Sequence, residues 1–385
     1  MPTYKYPIVS KLPEVPTSIF SVMSALATKE NALNLSQGFP NFESDPALIK
    51  MVHTAMVNGN NQYAPMPGIF SLRKVISEKM ENLYGISYNP ETEITITAGA
   101  TQAIFTAIAA TIKKGDEVII FKPAYDCYEP TVELFEGKTI AIQLDPESFS
   151  INWQEVKELT TDKTRMIIIN TPHNPSGKML SNNDMLQLEA LLKNTNILLL
   201  SDEVYEHIIF EGEKHQSAAL FPGLAERTFI TASFGKTFHN TGWKMGYCIA
   251  PAELTKEFRK VHQFNVFSVN HPTQVALANY LKTPENYLSL GGFYQKKRDL
   301  FLSLIKDSRF EFTPSKGTYF QLLNFKKITN ESDYDFAVRL TKDKKIAAIP
   351  ISVFNENKYD SKVLRFCFAK TDDTLKKAAE ILCKI

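Results

Sequence analysis

The sequence predicts an α/β protein with a larger domain on a mostly parallel seven-stranded sheet and a smaller α+β domain. Three observations predict it. Seven short apolar runs, at 93–97, 117–121, 140–144, 166–170, 196–200, 227–232 and 246–250, mostly alternate with helical stretches. That alternation marks parallel strands covered on both faces. The unusual motifs of the chain cluster where these runs end, the edge at which open parallel sheets bind ligands. After Pro251 the pattern changes to longer helices with a few strands.

Composition sets the outer limits. A chain of 385 residues is long enough for two domains. At 44% apolar and 22% charged residues it is an ordinary globular protein. With 43 basic against 42 acidic residues, nothing points to a nucleic acid or a membrane surface as partner. Cys127, Cys248, Cys367 and Cys383 are scattered without a CxxC pair. They read as reduced thiols, neither a disulfide framework nor a metal site. The first twenty residues lack an apolar signal core, so a cytoplasmic location is expected.

Residues 1–17 read as an extended arm punctuated by proline, either packed on another subunit or a partly disordered terminus. Helices are expected at 18–29, 46–58 and 69–84, separated by the turn Leu35-Ser36-Gln37-Gly38-Phe39-Pro40 and the loop Asn61-Gln62-Tyr63-Ala64-Pro65. Gly38 can bring its backbone close to a ligand. The strand at 93–97 runs into Ala98-Gly99-Ala100-Thr101-Gln102 and an apolar helix. The next meets Pro123-Ala124-Tyr125-Asp126-Cys127-Tyr128. Later strands end at Thr171-Pro172-His173-Asn174-Pro175-Ser176-Gly177, at Ser201-Asp202-Glu203-Val204-Tyr205, and at the stretch Ser233 to Tyr247, SFGKTFHNTGWKMGY. Helices are expected at 153–159 and 182–193. Beyond Pro251 they follow at 252–264, 272–281, 287–306, 332–342 and 372–383, with strands around 317–323 and 363–368. The domain reading is 1–40 as arm and part of the small domain, 41–280 as the large domain, and 281–385 as the small domain.

Lys236 sits just past a strand end among small residues. Burial there lowers a lysine pKa and makes the amine a nucleophile able to form a Schiff base with an aldehyde cofactor; the competing reading is a surface lysine. The surrounding motifs supply the other parts of a pyridoxal phosphate site. Asp202 would hold the pyridine nitrogen, or else cap a helix. Asn174 and Tyr205 would donate to the ring's phenolic oxygen. Tyr125 would lie over the ring, unless it is core. Gly99, Ala100 and Thr101, at a helix start, with Ser233 and Lys244, would cup the phosphate. Arg365, an arginine among apolar neighbours in LRFCFA, needs a partner, and a substrate carboxylate would be one.

In order along the chain, LSQGFPNF, NQYAP, PAYDCY, NTPHNPSG, SDEVYEH, SFGKTFHNTGWKMGY and LRFCFAK together resemble the fold-type I pyridoxal-phosphate aminotransferases of class I/II. TPHNPSG, SFGKTFHNTGWK, FSVNHPTQ and LRFCFAKTDDTL are most similar to the methionine and kynurenine/glutamine aminotransferase branch. The resemblance implies that Lys236 also moves the proton between the substrate Cα and the cofactor. It implies that Arg365, Asn174 and the Gly38 backbone take the substrate carboxylate, and that Tyr63 reaches the phosphate of a neighbouring subunit in a homodimer. Ile19, Phe20 and Tyr63 would line an apolar side-chain pocket. Methionine, aromatic amino acids or glutamine are the expected donors and a 2-oxo acid the acceptor. The alternative is a kynurenine/glutamine transaminase with cysteine-conjugate β-lyase activity. Thr101, where kynurenine enzymes tend to carry an aromatic residue, and Val269-Asn270-His271, where they carry a Phe-His pair, weigh against that alternative. A cofactor-sensing regulator would need a DNA-binding domain for which the arm is too short.

Overall fold

The computed structural model describes residues 2–385. Residues 2–17 form neither helix nor strand, and Tyr4, Tyr6, Ile8 and Val9 of this arm are exposed. The helix Ile19–Lys29 follows, then the two-residue strand β1 (Leu33–Asn34). The helix Pro46–Val57 starts where Asp45 accepts from the Ala47 amide and Pro46 needs no donor partner. The helix Phe70–Tyr84 stops at Gly85, which takes the left-handed conformation at φ +71°.

The central sheet comprises β2 (Ile94–Thr97), β3 (Glu117–Lys122), β4 (Lys138–Gln143), β5 (Thr164–Asn170), β6 (Leu198–Asp202), β7 (Thr228–Ser233) and β8 (Gly246–Ile249). Their spatial order is β2-β8-β7-β6-β5-β3-β4. From β4 to β7 all pairs are parallel, and β8 runs antiparallel to both its neighbours. Successive side chains in these strands enter opposite cores. Val118 and Ile120 pack with Ile104, Ile108 and Phe258 on one face, whereas Ile119 and Phe121 join the larger cluster on the other. Burying each such side chain contributes roughly 1.5–3 kcal/mol. This two-sided burial explains why the strands read as continuous apolar runs.

Beyond the long helices Ala252–Asn265, His271–Tyr280 and Leu290–Ile305 come β9 (Phe320–Asn324), β10 (Ile346–Ala347), β11 (Ile349–Pro350) and β12 (Val363–Cys367). The last two and β9 form an antiparallel sheet in the order β11-β12-β9. β1 pairs in parallel with β10, and the Cys367 amide donates to the Leu35 carbonyl. The segment after the first helix is thereby tied to the C-terminal sheet.

Several element boundaries differ from those expected. β6 runs to Asp202 rather than Leu200, because Ser201 and Asp202 remain in register with both β5 and β7 although they end the apolar run. β4 begins at Lys138, two residues earlier than expected. The helix expected over 287–306 is two, Glu285–Leu288 and Leu290–Ile305. In the second, Gly291 lies against the Ile209 carbonyl, where a Cβ would stand 2.7 Å from the oxygen.

Gly246 has a related role at the mouth of the sheet. A Cβ there would stand 2.6 Å from the Ala232 oxygen, 2.8 Å from Gly99 C and 2.9 Å from the Ala100 nitrogen. All three are backbone atoms, with no flexible side chain to yield. Gly246→Ala is therefore expected to lower unfolding stability by about 1–3 kcal/mol, measured by urea denaturation. An unchanged midpoint would show that the close approach of β8 to residues 99 and 100 is not needed.

Candidate functional site

The carboxyl ends of β2, β3, β5, β6 and β7 and the start of antiparallel β8 share one edge of the sheet. The cleft there has room of about 150 Å³ and is partly open to solvent. Gly99, Ala100, Thr101, Tyr125, Asn174, Asp202, Tyr205, Ser233, Lys236 and Lys244 all line it. Ten residues spread over 146 positions of sequence are thus brought together.

Lys236 lies on a single helical turn, Phe234–Thr237, that follows β7 directly. Its Nζ donates to the Gly38 carbonyl at 3.1 Å, and the Tyr319 hydroxyl donates to the same oxygen at 2.6 Å. Burial lowers the Lys236 pKa to about 8, with the charges of Arg365 and Lys244 acting in the same direction. A neutral amine is therefore accessible near neutral pH.

Asp202 ends β6 and is buried. Burial pushes its carboxyl up to about 6, against the downward pull of the Tyr128 hydroxyl and the Val204 amide. The Tyr128 hydroxyl donates to Oδ2 at 2.6 Å, and the Val204 amide donates to Oδ1 at 3.3 Å. The strand-end acid thus also closes the turn that follows it, but no helix starts there for it to cap. Asn170, at the end of β5, donates from Nδ2 to the Asp202 carbonyl and accepts the Asn174 amide on Oδ1. It locks the positions of two cleft residues at once.

Gly99 precedes the helix Ala100–Thr111 at φ +80° and provides no side-chain cap. The first amides of that helix are free of intrahelical partners and carry the positive end of its dipole. Lys244 Nζ stands 3.6 Å from the point a Gly99 Cβ would occupy. Lys244 itself adopts φ +53°, a left-handed conformation between Trp243 and β8. Ser233 closes β7 beside it, and the Tyr125 and Thr101 hydroxyls lie 3.4 Å apart across the cleft. A helix start and an ammonium facing the same gap form an anion cradle.

Arg365, on β12, is 1% exposed. Nη1 donates to Asn174 Oδ1 at 2.8 Å and Nη2 to the Ser36 carbonyl at 2.9 Å, while Nε has no partner among the described residues. Its charge lies over the Phe320 ring at 3.9 Å and the Phe20 ring at 5.1 Å. Phe20 in turn packs on Phe354 at 5.6 Å, and Gln37 Nε2 donates to the Phe20 carbonyl. Ile19 opens the first helix and packs half-buried against the main core. Tyr63 lies elsewhere: it is 81% exposed, beside Phe267 and outside the cleft of its own chain.

Sequence reasoning passed over Tyr128, Asn170 and Tyr319. Tyr128 stands in the same PAYDCY stretch as Tyr125, and Asn170 is the last residue of its predicted strand. Strand-end position alone would have singled out Asn170. Nothing local marks Tyr319, whose contact with Gly38 spans 281 positions.

A strand-end lysine, a buried acid and an anion cradle on one α/β sheet, with a buried arginine from the second sheet that has no carboxylate partner among the described residues, define a class of group-transfer enzyme acting on amino acids. The family model for aminotransferase class I and II matches residues 30–382. The chain is 46% identical over 374 residues to the methionine aminotransferase of Escherichia coli, covering 97% of each. It is 35% identical to the kynurenine–oxoglutarate transaminase of Dictyostelium discoideum, over 96% of this chain and 94% of that one. Among solved structures, YbdL from Escherichia coli, described as having a methionine aminotransferase function, superimposes with a TM-score of 0.97 at 45% identity, over 99% of this chain and all of that one. This chain belongs to the class I and II aminotransferases and has their fold-type I architecture.

The lowered pKa of Lys236 has a measurable consequence in cofactor-free protein. Between about 8 and the ordinary 10.5, the unfolded chain binds a proton that the folded chain does not. Stability from this residue therefore rises with pH across that window. Lys236→Met should raise the melting temperature at pH 7, and the gain should shrink as pH passes through 8 towards 10.5. A gain independent of pH would place the ammonium in water rather than in the cleft wall.

Proposed function

We propose that the cleft binds pyridoxal 5′-phosphate and that the enzyme moves the amino group of methionine to a 2-oxo acid in two half-reactions. Aromatic amino acids and glutamine are further donors. The observation that carries this reading is Arg365: a buried guanidinium with an unpaired Nε, sharing Asn174 and the 36–38 turn with the lysine cleft. A substrate carboxylate would satisfy it. The residues fit the cofactor: Gly99, Ala100, Thr101, Ser233 and Lys244 would hold its phosphate, Asp202 its ring nitrogen, Asn174 and Tyr205 its phenolic oxygen, and Tyr125 one ring face. When bound, the cofactor supplies an aldehyde for the amino group and a ring that withdraws the electron pair left at the substrate Cα.

The protein's own groups do the rest. Arg365, Asn174 and the Gly38 backbone bind and orient the α-carboxylate. Lys236, whose lowered pKa makes the neutral amine accessible, would accept the Cα proton and return it on the other side of the exchange. Asp202, its carboxylate bound by Tyr128 and its backbone carbonyl by Asn170, would offer a negative charge to the ring nitrogen. Phe20, braced by Phe354, offers an apolar wall that suits a thioether or an aromatic ring, with Ile19 beside it. The preference for methionine draws support from the 46% identical relative. The second reading, a kynurenine/glutamine transaminase with β-lyase activity, draws support from the 35% identical one.

A homodimer is part of the proposal. Tyr63 projects into solvent with Phe267, and Phe264 is 90% exposed. Together with the exposed arm they suit a second copy whose phosphate Tyr63 would reach. The division into residues 1–40, 41–280 and 281–385 belongs to the same proposal and draws support from the pairing of β1 with β10. A cytoplasmic location fits four free cysteines. No helix among the described residues is long and apolar enough to cross a membrane.

Two outcomes follow. Arg365→Lys loses the paired hydrogen bonds, each contributing roughly 1.5–3 kcal/mol, so kcat/KM should fall about tenfold to a few hundredfold. The loss should be equal for methionine and phenylalanine, while Phe20→Ala should change their ratio by roughly 1–3 kcal/mol. The reverse pattern would misplace both subsites. For assembly, sedimentation should find a dimer, and Tyr63→Phe should remain dimeric yet retain cofactor about tenfold less well. A fully active monomer would refute the shared site.

A further inference from the structure

The turn that carries Asp202 and Tyr205 also carries two acids that line no part of the cleft. Glu203 and Glu206 are 1% and 8% exposed. The turn is closed by the Glu206 amide donating to the Glu203 carbonyl. Asp202 and Tyr205 face the cleft, and the two glutamates point behind it.

Both carboxylates are anchored at each oxygen. Glu203 Oε1 accepts from Ser201 Oγ and the Ala218 amide, and Oε2 lies 2.7 Å from His215 Nε2. Glu206 Oε1 accepts from Lys79 Nζ at 2.5 Å and from the Tyr247 hydroxyl at 2.9 Å. Glu206 Oε2 accepts from the Tyr84 hydroxyl at 3.1 Å. His207 Nε2 lies 3.5 Å from the same carboxylate and its ring packs on Tyr287. Lys79 also donates to the Tyr247 hydroxyl, so Lys79, Tyr247 and Glu206 close a triangle. Three separate elements therefore meet behind the turn: the helix Phe70–Tyr84, β8 and the turn itself.

Burial alone would raise Glu206, but Lys79 holds it well below the ordinary carboxylate range. A buried ion pair is a poor device for stability alone, since apolar residues of the same size often do as well. It is a good device for fixing geometry, because every polar atom must keep its partner.

We propose that the buried Lys79–Glu206 pair, closed by Tyr247 and Tyr84, is a positioning device that fixes the 202–206 turn and so sets where the Tyr205 hydroxyl and the Asp202 carboxylate stand in the cleft. The pair touches neither substrate nor cofactor. This rests on the proposed function, in which Tyr205 donates to the cofactor's phenolic oxygen and so favours the deprotonated form of the lysine-bound cofactor.

The test is Lys79→Met combined with Glu206→Gln in the cofactor-loaded enzyme. The double variant removes both charges, strands neither, and leaves an amide oxygen for Tyr247. It should stay folded with a melting temperature close to that of the unaltered enzyme. The pH midpoint of the visible cofactor band should move up by about one pH unit, a tenfold change in proton equilibrium. With methionine, kcat should fall about tenfold while KM changes by less than about threefold, because Arg365 is untouched. A folded double variant with an unmoved midpoint and unchanged kcat overturns the inference. Should the double variant not fold, Tyr84→Phe decides: it removes one donor to Glu206 and no charge, and a smaller upward shift supports the proposal while none overturns it. Absence of any visible band from the unaltered enzyme would contradict the proposed function instead, so the two failures are distinguishable.

Discussion

Everything at the site depends on the direction of the strands. Four consecutive parallel pairings, from β4 to β7, deliver the ends of β3, β5, β6 and β7 to one edge. β2 delivers the helix start at Ala100 to that edge as well, because antiparallel β8 separates it from β7. The reversal of β8 does more than fill the gap. It brings the residues before the strand, rather than those after it, to the site, which is how Lys244 comes to stand beside Gly99. Gly246 permits the approach, and Tyr247, next in the strand, anchors Glu206 on the far side.

Against that frame the site holds costly groups in productive places. Arg365 is buried without a carboxylate, and its desolvation is offset by Asn174, the Ser36 carbonyl and the face of Phe320. Lys236 is held by a carbonyl rather than an acid, so nothing in direct contact restores its lost hydration in full. Each group is poised to gain from an anionic or electrophilic partner. Under the proposed function, such stored cost would favour a molecule carrying both a carboxylate and an amine.

The sequence made the first layer of this site legible and left the second hidden. Asp202, Asn174 and Lys236 each follow an apolar run, so strand-end position and residue chemistry coincide. Tyr128 acts through Asp202, and Asn170 lines the cleft while tying Asp202 to Asn174. Lys79 and Glu206 are 127 positions apart, and nothing local to either announces the pair. Strand ends misjudged at β6 reflect polar residues that stay in register, which periodicity cannot detect. The two-residue strands β1, β10 and β11 are too short to carry any period at all. They nonetheless tie the 34–38 turn, with its carbonyls for Arg365 and Lys236, to the C-terminal sheet.

The central claim is that one cleft takes an amino acid by its carboxylate and its amine and keeps the amino group for a second substrate. A half-reaction tests it most directly. Cofactor-loaded enzyme is mixed with methionine and no oxo acid, and the 2-oxo acid released is counted. The account predicts one oxo acid per subunit, loss of the original visible band, and a halt until an acceptor oxo acid is supplied. Continuous release without an acceptor, or no release at all, would contradict it.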